Sequence, residues 1–307
     1  MKEIPIDLKQ LRYFVHIAEF GSFTKAANFL DVAQPVLSRQ IRKLEVDLGQ
    51  NLLIRDGRGV SLTDSGAVLL EHSRGILHQL ERAFEDVTRG QLSGHISMGL
   101  PPTLARIFSV PMTKDFHELL PDANLVITEK LSASIEEEII TGKLDMGVLH
   151  NPTRSPELDI FMLAKENLFL MAPKELKFKT TKKGVSLEEV SKLPLILPSY
   201  PNSYRLLVEM QMAKISAKPR VILEMNSVNT ILELVAEGIG CAIFSSKTLE
   251  IISEKDRERL QSHCIHSPHV VSRIYMATSN KRIITKTQKT MLNIIRNLCD
   301  SHFNIIE

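Results

Sequence analysis

The chain predicts an α/β protein that carries a small helical unit with a β-hairpin at its amino end. Three observations support this. Apolar residues recur at three- and four-residue spacing through the first fifty positions. A short hairpin pattern follows around residues 53–62. From about residue 94 onward, strand patterns alternate with helical ones.

Taking the elements in order, Leu8, Leu11, Phe14, Val15 and Ala18 form one buried stripe of a first helix, which Gly21 stops. Ser22 stands where a helix N-cap belongs, and Phe23, Ala26, Ala27 and Leu30 are the buried face of a short second helix. Asp31–Val32–Ala33 is a turn's worth of chain. Pro35 suits the first turn of a third helix, where its missing N–H costs nothing. Leu37, Ile41, Leu44 and Leu48 define that helix's inward stripe. The other side then carries Gln34, Pro35, Ser38, Arg39 and Arg42, with Lys43 at its margin. A helix–tight turn–helix with such an outer face has the form that enters a DNA major groove. Arg pairs bidentately with guanine and Gln with adenine, while Ser or Lys holds phosphate.

Three cations on a helix face are, taken alone, an ordinary solvated surface. The next segment changes the reading. Leu53–Arg55 and Gly59–Leu62 predict two strands around a glycine-containing turn, with Arg55 and Arg58 near its tip. A hairpin so placed makes the unit a winged helix-turn-helix. Thr63 then caps a long proline-free helix with Asp64 in its first turn. Leu69, Ile76 and Ala83 repeat every seven residues; Ser73, Leu80 and Val87 fill the complementary seam, and Leu70, Leu77 and Phe84 add a second stripe. One stripe is expected to pack on the unit itself and the other to pair two copies, through Leu69, Ile76, Leu80, Ala83 and Val87.

Gln91–Leu92–Ser93–Gly94 reads as a hinge. Strands are expected over 95–100, 123–129, 145–149, 168–172, 195–197, 221–224, 241–244 and 275–278. Helices are expected after Pro102, over 135–140, 203–212 and 228–237, and from about 286 to 298. These βα units argue for largely parallel strands in two lobes joined by crossing strands, with a cleft between them. Ligands in such clefts sit at strand carboxyl ends, against helix N-termini that attract anions. The candidates are Pro102, Thr103, Ser132, Ser199, Asn202, Asn226 and Ser227, with His150 as a switchable charge. Each hydroxyl or amide alone is an ordinary helix cap; it is their convergence from two lobes that suggests a site.

Composition sets the limits. The 307 residues suffice for two or three domains, and 43% hydrophobic with 24% charged residues is ordinary for a globular chain. A net charge of +2 means that cations meeting a polyanion must be concentrated locally. Three dispersed cysteines form no disulfide framework and suit a reducing cytoplasm. The start MKEIPIDLKQLR lacks the apolar core of a signal peptide, and no apolar run approaches the roughly 20 residues of a spanning helix, so no membrane partner is expected. His263, His266 and His269 are read as part of a solvent-exposed crossover loop rather than a metal site, because no acidic or cysteine partner stands at zinc-site spacing. Gly238–Ile239–Gly240 follows a helix and precedes a strand, the reverse of a dinucleotide loop. No cofactor is expected.

The run LRYFVHIAEFGSFTKAANFLDVAQPVLSRQIRKLEVDLGQNLLIRDGRGVSLTDSG resembles the DNA-binding domain of LysR-type transcriptional regulators, most specifically in AQPVLSRQIRKLE and the closing LTDSG. Leu53 stands where the family often has Phe. The resemblance implies that Gln34, Pro35, Ser38, Arg39 and Arg58 lie at DNA, that Thr24 and Arg55 contact phosphate, and that the linker helix dimerises. Residues 93–150 and ILELVAEGIGCAIF are similar to the family's effector-binding domain, itself related to periplasmic solute-binding proteins. Phe244–Ser245 replaces the Leu/Val–Pro usual there, which is expected to reshape the cleft rim. The expected organisation is a winged helix-turn-helix over 1–62, a linker helix over 63–90 and an effector domain over 91–307, with lobe I about 94–165 and 268–307 and lobe II about 166–267. The implied working unit is a cytoplasmic homotetramer bending double-stranded promoter DNA, with RNA polymerase nearby. A small organic anion in the cleft would modulate its activity. The alternative, an enzyme with an accessory DNA-binding module, needs a nucleophile–base or paired-carboxylate constellation that the sequence does not offer.

Overall fold

The computed structural model describes residues 6–56, 59–88, 94–250, 252–282 and 284–303. Two compact units result: residues 1–88 with 141–143, and residues 89–140 with 144–307.

The first unit contains α1 (Leu8–Phe20), α2 (Phe23–Leu30), α3 (Gln34–Leu48), β1 (Leu53–Asp56), β2 (Gly59–Leu62) and α4 (Asp64–Thr88). Local signals set its helix ends. Asp7 and Gln10 form a reciprocal capping box on α1, Gly21 ends that helix in the left-handed conformation, and the Ser22 hydroxyl caps α2. The core joins Phe14, Ile17, Ala26, Leu37, Ile41 and Leu44, all fully buried. Leu8 departs from the expected stripe and is exposed; Gln10, Tyr13 and Ile17 are buried there instead.

Strands β1 and β2 pair antiparallel from Leu53↔Leu62 to Asp56↔Gly59. Two contacts anchor this hairpin. The Val60 N–H donates to the Gly21 carbonyl at 3.0 Å. The Glu45 carboxylate on α3 accepts the N–H groups of Leu52 (2.9 Å) and Leu53 (3.2 Å). Helix α4 starts under Thr63, whose hydroxyl accepts the Gly66 N–H, and it is tied to α1 by the Arg74–Glu19 pair at 2.9 Å.

The second unit contains β3 (His95–Leu100), α5 (Pro102–Leu119), β4 (Asn124–Glu129), α6 (Ser132–Thr141), β5 (Met146–His150) and the long β6 (Leu158–Pro173). Then come β7 (Val185–Ser186), α7 (Leu187–Lys192), β8 (Pro194–Leu197), α8 (Ser203–Lys214), β9 (Arg220–Glu224), α9 (Val228–Ala236) and β10 (Ala242–Ser245). A short 3₁₀ turn (Ser246–Glu250), α10 (Glu254–Glu258), β11 (Leu260–His266), β12 (Val271–Ser279) and α11 (Lys286–His302) complete it. One sheet runs β4-β3-β5-β12-β6-β11-β7, with β10 also on β6; β8 and β9 pair separately.

Helices α5 and α11 cover one face of the first half of this sheet through Phe108, Met112, Phe116, Ile294 and Ile295, and α6 covers the other through Ile135 and Ile139. A separate core joins β6, β8 and β10 to α7, α8 and α9. The two cores are lobes I and II.

Several expectations need correction. The strands are not largely parallel: β3 pairs parallel with β4 and β5, but β12 runs antiparallel to β5 and β6, and β10 and β11 run antiparallel to β6. The chain crosses between lobes along β6 and returns along β12, and a crossing out and back is necessarily antiparallel. The run 168–172 is only the second half of β6; Lys165, Glu166 and Asn167 break the apolar pattern at the point where β6 changes partners. The His263–His266 segment is strand β11 rather than an exposed loop, paired with β6 and β7, its histidines bonded to Gln261, Ser267 and Thr181. Among the described residues no three His, Cys, Asp or Glu side chains are placed to hold a metal, and no helix is long and apolar enough to cross a membrane.

Close packing of α6 demands glycine beneath it. A Cβ on Gly147 would stand 2.3 Å from Ile135 Cγ2 and 3.1 Å from the Gly99 carbonyl oxygen. Gly147→Ala should therefore destabilise the α/β unit by about 1–3 kcal/mol through overpacking, seen as a lower urea midpoint by circular dichroism.

Candidate functional site

Two surfaces carry chemistry, one in each unit. On α3, the buried stripe Leu37–Ile41–Leu44 turns Gln34, Pro35, Arg39, Arg42 and Lys43 outward, all exposed. Ser38 is half-buried because the Arg55 guanidinium of β1 donates to its hydroxyl at 3.2 Å. The same guanidinium lies 4.3 Å from the Phe23 ring centroid, so Arg55 bridges hairpin, α2 and α3. Thr24 is exposed on the first turn of α2. Arg58 lies outside the described residues. Helix α3 and β1 thus flank a groove lined by Ser38, Arg42, Glu45, Gln50 and Arg55.

On α4, Leu69 does not face outward as the pairing seam requires: with Leu70 it packs on the unit's own core. The first turns of α4 lie beside α1, which claims both stripes there. Ile76, Leu80 and Ala83, further along, are exposed, while the Val87 side chain is outside the described set.

In the second unit, four helices present their first residues to one cleft between the lobes. Lobe I contributes Pro101, Pro102, Thr103, Leu131, Ser132 and His150; lobe II contributes Asn202, Ser203, Tyr204, Asn226, Val228 and Phe244. About 400 Å³ within the cleft and at its mouth is free of atoms. None of these side chains is Lys, Arg, Asp or Glu. The positive ends of α5, α6, α8 and α9 supply the electrostatic bias, which favours an anion.

Of the predicted residues, Pro102, Thr103, Ser132, His150, Asn202 and Asn226 meet in this cleft. Ser199 and Ser227 do not. The Ser199 N–H donates to Asn226 Oδ1 at 2.9 Å, and the Ser227 hydroxyl caps α9. Ser199 thus ties the loop after β8 to the loop after β9 through its backbone, and Ser227 fixes the start of α9. Asn202 lines the cleft while capping α8, its Oδ1 accepting from Tyr204 N–H at 2.9 Å.

Beneath the cleft floor sits a polar cluster that the sequence reading did not assemble. His150 is 4% exposed at the end of β5, its backbone N–H bonded to Ser132 Oγ at 3.0 Å. Its Nδ1 lies 3.3 Å from Ser272 Oγ of β12 and 3.7 Å from Glu166 Oε1 of β6. The Tyr204 hydroxyl donates to Glu166 Oε1 at 2.7 Å, and its ring packs 4.8 Å from the imidazole. Nε2 of His150 is buried without a hydrogen-bond partner. Burial pushes the His150 pKa down to about 4, so at neutral pH the His150–Glu166 contact is not an ion pair. Burial also raises the Glu166 pKa, against the pull of hydrogen bonds from Ser245 and Tyr204. Tyr204 is held well above the usual phenol range by burial first, then by the Glu166 charge. The sequence clue for Glu166 was the polar Lys165–Glu166–Asn167 interruption between two apolar runs of β6.

Comparison with known proteins places these surfaces in context. Residues 8–67 match the family described as bacterial regulatory helix-turn-helix protein, lysR family, and residues 89–300 match the LysR substrate binding domain. The chain is 34% identical over 241 residues to the nitrogen assimilation regulatory protein nac of Escherichia coli (strain K12), covering 78% of each chain. It is 28% identical over 254 residues to the HTH-type transcriptional regulator AlsR of Bacillus subtilis (strain 168), covering 81% of this chain and 83% of that one. In fold it resembles full-length CbnR complexed with its target DNA, at a TM-score of 0.72, 24% identity and coverage of 95% and 100%. These matched relatives are transcriptional regulators rather than enzymes. The helix-turn-helix unit with its hairpin, the two-lobed α/β unit and both family matches together establish that this chain belongs to the LysR family of DNA-binding transcriptional regulators.

Proposed function

We propose that the protein is a ligand-responsive, sequence-specific regulator. Helix α3 enters the major groove, the β1–β2 hairpin rests on the flanking backbone, and α4 pairs two copies through Ile76, Leu80 and Ala83. Two copies read two half-sites, and further pairing gives the homotetramer. The observation that carries the DNA reading is the division of α3, with fully buried Leu37, Ile41 and Leu44 behind an exposed row of Gln34, Arg39 and Arg42. Phosphate contacts from Thr24 and Arg55 position the unit, and base-edge contacts from Gln34 and Arg39 specify the site.

The cleft takes a small organic anion, in a protein acting in the cytoplasm. Support comes from four converging helix N-termini and an otherwise uncharged lining. To regulate, that ligand must bind two assembly states with different affinity, since equal affinity would shift neither. RNA polymerase, recruited beside the bound promoter, is the partner that turns this shift into a change of transcription.

Arg39→Ala should weaken operator binding by about ten- to a hundredfold, the loss of one bidentate base contact, with the oligomeric state unchanged by light scattering. Unaltered binding in gel shifts would exclude α3 as the reading element. Leu80→Asp, an exposed substitution, should leave the fold intact by circular dichroism yet halve the mass of the particle in solution and lower operator affinity. Thr103→Val should blunt the response of reporter expression to the inducing condition while leaving unliganded operator binding as in the parent protein.

A further inference from the structure

An anion in this cleft meets no fixed positive side chain. Around it stand hydroxyls, amides, apolar groups and one imidazole, whose Nε2 is buried and lacks a partner. His150 is the one lining residue able to become cationic. Its second nitrogen already faces a carboxylate, because Nδ1 lies 3.7 Å from Glu166 Oε1.

We propose that the cleft takes a small carboxylate and that His150 binds it as the imidazolium, with Nε2–H to the ligand and Nδ1–H to Glu166, so that each binding event takes up one proton from solution. The proposal rests on the reading of the cleft as the effector site. No bond other than the new N–H is formed, and the proton comes from solvent. The ligand and Glu166 then flank one positive charge from either side, an arrangement that lowers the cost of burying all three.

The groups around His150 allow this. Helix α8 contributes the Tyr204 hydroxyl, already donated to Glu166. Helix α6 contributes the Ser132 hydroxyl, committed to the His150 N–H, and β12 contributes the Ser272 hydroxyl at Nδ1. Strand β10 contributes Ser245, bonded to Glu166. On α11, Cys299 senses the charges of Asp300 and Glu166, but burial, the larger influence, lifts its thiol to about 12 and keeps it neutral. No Lys or Arg lines the cleft to compete as counterion.

The sign follows from linkage. Without an anion at Nε2, burial holds the His150 pKa at about 4; an anion there raises it. Between those two values, binding takes up a proton, so affinity falls as pH rises, by up to about tenfold per pH unit. Pyruvate, lactate and dichloroacetate, ionised across the range, serve as probes for calorimetry on the full chain from about pH 5.5 to 8. The expected result is affinity weakening with pH, proton uptake near one per site from buffers of different ionisation enthalpy, and a flat, weaker profile in His150→Gln. Should His150→Gln fail to fold, Glu166→Gln carries the test and should flatten the profile likewise, because the imidazolium then keeps only the ligand carboxylate as counterion and loses the one at Nδ1. Binding that Thr103→Val removes, but that is pH-independent in the parent protein, would overturn the proton linkage and leave the cleft as the ligand site. No binding of any probe at millimolar concentration would overturn both.

Discussion

Strand β6 is the constraint on which the second unit depends. Its first half pairs with β12, and its second half pairs with β10 and β11, so one sixteen-residue strand belongs to both lobes. A continuous hydrogen-bonded strand cannot be shortened or slipped by one residue without turning every side chain to the opposite face. The lobes are thus held in register by backbone bonds, and the ends of β3, β4, β8 and β9 with their following helices, together with the end of β5, meet at one cleft. Glu166 sits at the changeover, and it bonds Tyr204 from one lobe while approaching His150 from the other.

Burying a carboxylate and an imidazole there is costly unless their polar atoms are met. Tyr204, Ser245 and Ser272 meet most of them, and His150 Nε2 is the remainder. A buried polar atom at the floor of a ligand cleft is a source of selectivity: a ligand that hydrogen-bonds to it relieves a standing cost, and one that cannot leaves that cost in place.

The first unit solves a different problem, which is holding a thin helix rigid with its polar face in water. Glu45 does this from α3 by accepting two backbone N–H groups next to β1, and Arg55 does it from β1 by reaching back to Ser38 and Phe23. Helix and hairpin are thus joined by side-chain contacts running in both directions. Braced on a ring and a hydroxyl, the Arg55 guanidinium still has further N–H donors.

What the sequence determined by itself is what short-range periodicity and capping encode. The two faces of α3, the Gly21–Ser22 junction between α1 and α2, the hairpin and the strand-to-helix turns at Pro102, Ser132 and Asn202 are all written within a few residues of one another. The tertiary structure alone decided that β6 runs unbroken past Lys165–Asn167, that β11 is a strand, that Leu69 turns inward, and that Ser199 and Ser227 fasten loops while Tyr204 lines the cleft. It alone gathered His150, Glu166, Tyr204, Ser245 and Ser272 into one cluster. The reason is physical. A cap or an amphipathic stripe is a local pattern, whereas a buried polar cluster draws its members from distant strands and helices, and their partnership arises only when the sheet brings them within hydrogen-bonding reach.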